Sequence, residues 1–159
     1  MFTILFEKYK KKISFFLLFG SIFIFVGIYG FFRKEKDLCE VFILFEENVL
    51  CVEIADTEEK KSQGLSFRKG LEKNTGMLFV FDEETFPQMW MKDMNFALDF
   101  IWMNSEGVVV DIDENVAPDT YPKIIDAPVA TPFVLEVPAG FVRDHGIEKN
   151  MKMILLEKR

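Results

Sequence analysis

Asp99 lies between Leu98 and Phe100, with Ile101 beyond. A carboxylate among such neighbours is costly to bury unless it is paired, and left alone it holds its proton more tightly. The sequence therefore calls for a partner to Asp99 or a cavity in front of it. Lys92 and Asn95 are close in sequence, and Arg68 and Arg143 could reach it across a fold. Three kinds of chemistry are open to it. A buried ion pair would fix strand register. A binding-site carboxylate would orient a polar group. An acid or base working with Glu136 would make a carboxylate-dependent hydrolase. Glu136 itself alternates with Leu135 and Val137 and reads as a solvent-facing strand residue.

Other chemistries find less support. Transition-metal sites need clustered His, Cys or carboxylates. The one histidine, His145, is far in sequence from both cysteines and reads as a solvated turn residue. A thiol nucleophile needs a base, and Cys51 sits mid-strand with none evident. No glycine-rich phosphate loop and no serine elbow occurs, and the residues imply no cofactor and no metal.

The elements that must position these groups are short. Residues 77–81 and 96–103 are apolar, aromatic-rich runs bounded by turn chemistry, hence buried strands. Residues 41–45 and 49–55 read as a hairpin closed by Glu46, Glu47 and Asn48. With Phe45 opposite Val49, Cys51 faces Ile43 and Cys39 lies a strand's length away, beyond disulfide reach. Two free thiols are the expectation. Asp56-Thr57-Glu58-Glu59 starts a short helix that Gly64 ends. From Gln88, side chains alternate. Either Trp90 is core and Met89 and Met91 are half exposed, or the reverse. Residues 108–112 return antiparallel to the strand ahead of them. Residues 116–132 carry four of the six prolines, so no regular strand or helix is expected there. Residues 133–137 and 151–156 supply two more strands.

A small-ligand pocket is expected between the Trp90-Met91-Lys92 segment and this proline-rich loop. Trp90 and the methionines Met89, Met91 and Met94 give adaptable apolar surface, Lys92, Asn95 and Asp99 could orient a polar group, and Tyr121 would stand in a wall or lid. Arg68 and Glu136 are secondary candidates. The competing arrangement has Trp90 in the core and the loop merely covering a sheet edge.

Residues 13–32 form an uncharged run of twenty, long enough as a helix to span about 30 Å of bilayer core. The division that follows is a basic cytoplasmic leader (1–12), a transmembrane anchor (13–32), a linker (33–38) and a soluble domain (39–159). The run exceeds a usual signal core, and no small-residue cleavage site follows it, so an uncleaved anchor is expected. Four lysines before the run and three basic residues after it set the N-terminus in the cytoplasm and the domain outside it. Residues 38–159 carry 12 Lys and Arg against 23 Asp and Glu, a net of −11. Such a domain is repelled by nucleic acid.

Short strands, hairpins and one or two short helices describe an α+β domain, mainly antiparallel sheet curled into a small half-closed barrel. Five pieces in order then resemble a known family: Gly64-Leu65-Ser66-Phe67-Arg68, Gly76-Met77-Leu78-Phe79-Val80-Phe81, Trp90-Met91-Lys92, Leu98-Asp99 and Leu135-Glu136-Val137-Pro138-Ala139-Gly140. Together they are similar to domain of unknown function 192, also called uncharacterised protein family 0127, over about residues 49–156. The resemblance implies a small β-rich fold, often exported or anchored, and brings no catalytic residue or cofactor. The function expected is an extracytoplasmic module that binds a small ligand or a protein partner. The alternative is a hydrolase acting on cell-envelope material through carboxylates.

Overall fold

The computed structural model describes residues 39–81 and 85–156. The proposed leader and anchor lie outside these residues. The strands are β1 (Val41–Phe45), β2 (Asn48–Ala55), β3 (Thr75–Val80), β4 (Gln88–Met89), β5 (Leu98–Met103), β6 (Val109–Val116), β7 (Ile125–Asp126), β8 (Phe133–Pro138) and β9 (Met153–Leu156). The α-helices are α1 (Glu58–Gln63) and α2 (Phe141–His145), and Pro118–Thr120 form a short 3-10 helix within the proline-rich stretch, where no helix was expected.

Seven strands form one sheet in the order β6-β5-β8-β3-β2-β1-β9. All its pairs are antiparallel except β2–β3, which is parallel. The exception follows from chain order: β2 reaches β3 through α1, and parallel neighbours need such a crossover. Thr57 caps α1 by accepting from the Lys60 amide at 3.3 Å, and Gly64 ends it at φ 48°. The sheet curls until its edges touch at one end. Val108 bridges Lys152, and Met153 donates its amide to the Gly107 carbonyl at 2.8 Å. This seam leaves a half-barrel and shields part of both edge strands.

Alternation along the strands gives the sheet two apolar faces. The inner face carries Ile43, Leu50, Leu78, Ile101 and Leu135, with Phe141 and Val142 of α2 packed among them. The outer face carries Met77, Phe79, Phe100, Trp102 and Val134, covered by Leu65, Met89 and Met91. Strand β5, flanked by β6 and β8, is therefore buried at every position. Each large side chain so buried contributes on the order of 1.5–3 kcal/mol.

Several expectations change. The first hairpin pairs Phe45 with Asn48 and Cys51 with Phe42, one residue from the expected register, because Glu46 takes φ 51° and tightens the turn. A one-residue slip moves every side chain to the other face. Ahead of β1 the Glu40 amide also bonds Val52, and Cys39 joins Cys51 in a disulfide with Cα atoms 5.3 Å apart. The expected free thiols are thus oxidised. The return strand is longer than expected, running to Val116. The proline-rich stretch is not wholly irregular: β7 pairs with β4 in a two-stranded ribbon, its two residues falling between prolines. His145 is not a solvated turn residue. Its ring stacks on Phe141 at 3.9 Å, and its Nδ1 lies 2.9 Å from the Phe141 carbonyl.

Candidate functional site

Period-two alternation decides which carboxylate meets which surroundings. Asp99 shares the inner face with Ile101 and Met103, whereas Glu136 shares the outer face with Val134. In register, Asp99 is opposite Val137, and Glu136 is opposite Phe100 on one side and Met77 on the other. The two carboxyls therefore point to opposite sides of one sheet.

Asp99 is fully buried, and backbone donors rather than a cation in direct contact hold it. It accepts from the amides of Asn115 at 2.8 Å and Val142 at 3.0 Å. Asn115 has φ 55°, so Asp99 pins a kinked end of β6 to the first turn of α2. The expected ion pair is replaced by backbone donors, which satisfy a carboxylate as a cap would. Arg143, one candidate partner, is exposed and turns to Asp144 at 2.7 Å.

Glu136 is the larger departure. It was expected to face solvent and is instead 4% exposed. Its Oε2 is buried without a hydrogen-bond partner. Burial pushes its carboxyl up to about 8, and the nearby Arg68 guanidinium opposes that rise. At neutral pH the group is thus mainly a neutral acid with one proton to donate. Arg68 itself is held by a two-pronged contact with Glu53, Nη2 to Oε2 at 2.8 Å and Nη1 to Oε1. This pair holds the arginine protonated and leaves Glu136 without an ion-pair partner.

Glu136 lies on the wall of a cavity of about 170 Å³. Phe79, Phe81, Met89, Trp90 and Met94 give it apolar sides, and α1 with the turn after it gives the opposite side. Three hydrogen bonds fasten that turn to the segment beyond β4. Ser66 Oγ donates to the Lys92 carbonyl at 2.9 Å, Phe67 N to the Asp93 carbonyl at 2.8 Å and Asn95 Nδ2 to the Arg68 carbonyl at 2.8 Å. Lys61, from α1, stands over the Phe81 ring at 4.8 Å and pairs with Glu58 at 3.4 Å. Gly76 permits the close approach of β3 and β8 here: a Cβ on it would lie 2.5 Å from the Glu136 carbonyl oxygen.

The structure brings together only some of the residues chosen from sequence. Trp90, 37% exposed, and Glu136 share the cavity, and Arg68 lies close enough to Glu136 to affect its proton. Met91 is core, which settles the alternation in favour of buried methionines. Lys92 and Asn95 are exposed and contribute backbone and amide contacts to the turn. Asp99 is behind the sheet, and Tyr121 is exposed on the proline-rich loop and does not line the cavity. The cavity opens between Trp90 and α1, not between Trp90 and that loop. Met89 and Met94, expected at the pocket with Trp90, line the cavity, whereas Phe79, Phe81 and Lys61 were not singled out from sequence. One signal was available: Glu136, like Asp99, sits in an unbroken apolar run, and a central strand is buried on both faces. Among the described residues, no three of His, Cys, Asp and Glu converge as metal ligands would.

The fold recurs in solved structures. A proposed transcription regulator from Sinorhizobium meliloti 1021 is 31% identical, with a TM-score of 0.67 over 72% of this chain and 91% of that one. A protein of unknown function from Novosphingobium aromaticivorans DSM 12444 is 27% identical, with a TM-score of 0.66 over 72% of this chain and 82% of that one. No curated protein matches the chain. The sequence profile of domain of unknown function 192, described as an uncharacterized ACR, matches residues 43–155. Those residues span every strand that builds the cavity, and the chain belongs to the domain of unknown function 192 family.

Proposed function

We propose that this chain is a membrane-anchored, extracytoplasmic binding module whose ligand enters the cavity beside Glu136. One observation carries the proposal: a buried carboxyl whose Oε2 has no partner, on the wall of a cavity with an aromatic and methionine side and a polar side from α1 and the turn after it. A polar atom left unpaired inside a protein costs roughly 1–3 kcal/mol, and a ligand that pairs with it recovers that cost. Small-molecule sites combine apolar and aromatic walls with placed polar groups. The uncharged run at residues 13–32 supports the anchor, and the Cys39–Cys51 disulfide accords with an oxidising compartment.

The hydrolase alternative needs two carboxyls converging across a substrate, roughly 5–9.5 Å apart. Asp99 and Glu136 diverge to opposite faces, so this chain offers no such pair from them. One structural neighbour is a proposed transcription regulator. The net charge of −11 on residues 38–159 argues against direct nucleic-acid contact in this chain.

Tryptophan fluorescence tests the site, because Trp90 lines the cavity and Trp102 is fully buried. A ligand found by screening should quench or shift the emission of the wild type and lose that effect in Trp90→Phe. A ligand that acts through Trp102 alone, with unchanged affinity, would place the site elsewhere. Protease added to intact protoplasts tests the location: the domain should be shaved, and full protection beside a sound control would refute the anchor.

A further inference from the structure

The cavity's size and the sign of its surroundings narrow the ligand class, provided that it is the binding site proposed above. We propose that it takes a compact, uncharged, ring-sized molecule whose carbonyl oxygen accepts a hydrogen bond from the Glu136 carboxyl. An apolar cavity of about 150 Å³ admits benzene, and this one is about 170 Å³. Phe79, Phe81, Met89 and Met94 suit the hydrocarbon part. The Glu136 carboxyl on the cavity wall supplies the polar end.

The charged groups facing Glu136 decide against an ionic ligand. From α1 come Lys61 and Glu58, and from the turn after it comes Arg68, neutralised by Glu53 of β2. Strands β3 and β4 hold no ionisable side chain. A cation would meet Lys61, which already occupies the face of Phe81, and Arg68 behind the wall. It would also require Glu136 to give up a proton that burial holds to about pH 8. Among the lining residues an anion could pair only with Lys61, which stands over the Phe81 ring and contacts an exposed Glu58, and it would crowd the Glu136 carboxyl beside it. A neutral carbonyl needs one donor, and a protonated carboxyl offers one.

The test uses the full chain labelled with 13C at its methionine methyls, because Met89 and Met94 line the cavity and Met103 and Met153 belong to the inner face. Four ring-matched probes are titrated: cyclopentanone, cyclopentylamine, cyclopentanecarboxylate and cyclopentane. Cyclopentanone should shift the Met89 and Met94 methyls and bind best of the four. Its affinity should fall about tenfold from pH 7 to pH 9 as the Glu136 donor is lost. Glu136→Gln, whose amide still donates, should bind it without that pH dependence. If this variant does not fold, the wild-type pH series decides alone. Tighter binding of the amine, with affinity rising with pH, would overturn the carbonyl assignment while leaving the pocket in place. So would tighter binding of the carboxylate, or equal binding of cyclopentane. If none of the four moves Met89 or Met94, both the ligand class and the pocket reading fall.

Discussion

Replacing Glu136 by glutamine should change how the stability of this protein depends on pH. In the folded chain its carboxyl is raised from 4.5 to about 8, first by burial. Between those values the folded state keeps a proton that the unfolded state has lost. Stability from this group is therefore fully present below about pH 4.5, falls as pH rises, and is gone once pH passes the folded value near 8. At about 1.4 kcal/mol per pH unit the whole effect is on the order of 5 kcal/mol. Between pH 6 and pH 8 it amounts to about 2 kcal/mol. Asp56 and Asp111 act in the opposite direction, because Lys60 and Lys149 hold their carboxyls below the usual range. Their influence lies at the acid end and is common to both proteins. Urea unfolding of the wild type and Glu136→Gln at pH 6, 7, 8 and 9 gives the comparison. The wild type should lose stability across this series, while the variant stays nearly flat. Parallel curves with a constant offset would show that Glu136 titrates normally, and the burial argument would fail.

Three further outcomes follow. Asp99→Ala should cost roughly 2–6 kcal/mol in chemical denaturation, because it orphans the amides of Asn115 and Val142, while Arg143→Ala stays within about 0.5 kcal/mol; a loss below about 1 kcal/mol for Asp99→Ala would mean that water reaches those amides. Cys51→Ser should lower stability by about 3 kcal/mol through loss of the Cys39 cross-link, and the native protein should show no titratable thiol until it is reduced; two reactive thiols without reductant would refute the bond. Gly76→Ala should cost about 1–3 kcal/mol or more, because its methyl would meet the Glu136 carbonyl oxygen at 2.5 Å; unchanged stability would mean that β3 and β8 are farther apart.

The strands and α1 were legible because apolar periodicity and capping residues are local signals. Thr57 with Gly64, and the runs at 77–81 and 96–103, carry their own boundaries. What was not legible depends on register and layering. A single left-handed residue, Glu46, shifted the first hairpin by one position, and the disulfide appeared where free thiols were expected. Asp99 was correctly marked as buried, yet its partners are backbone amides, which no side-chain inventory lists. Glu136 looked solvent-facing because one face of an antiparallel strand usually is. Here Met89, Met91 and Leu65 form a second layer over that face, so alternation predicted the side of the sheet but not what covers it.

The site is tested most directly by a crystal structure of the protein as purified from its native host. Density for a small molecule should appear between Phe79, Trp90 and Met94, with an oxygen within hydrogen-bond distance of the Glu136 carboxyl. The binding reading is contradicted if Glu136 Oε2 is bonded to the Arg68 guanidinium or another protein donor and the cavity is closed by its own side chains.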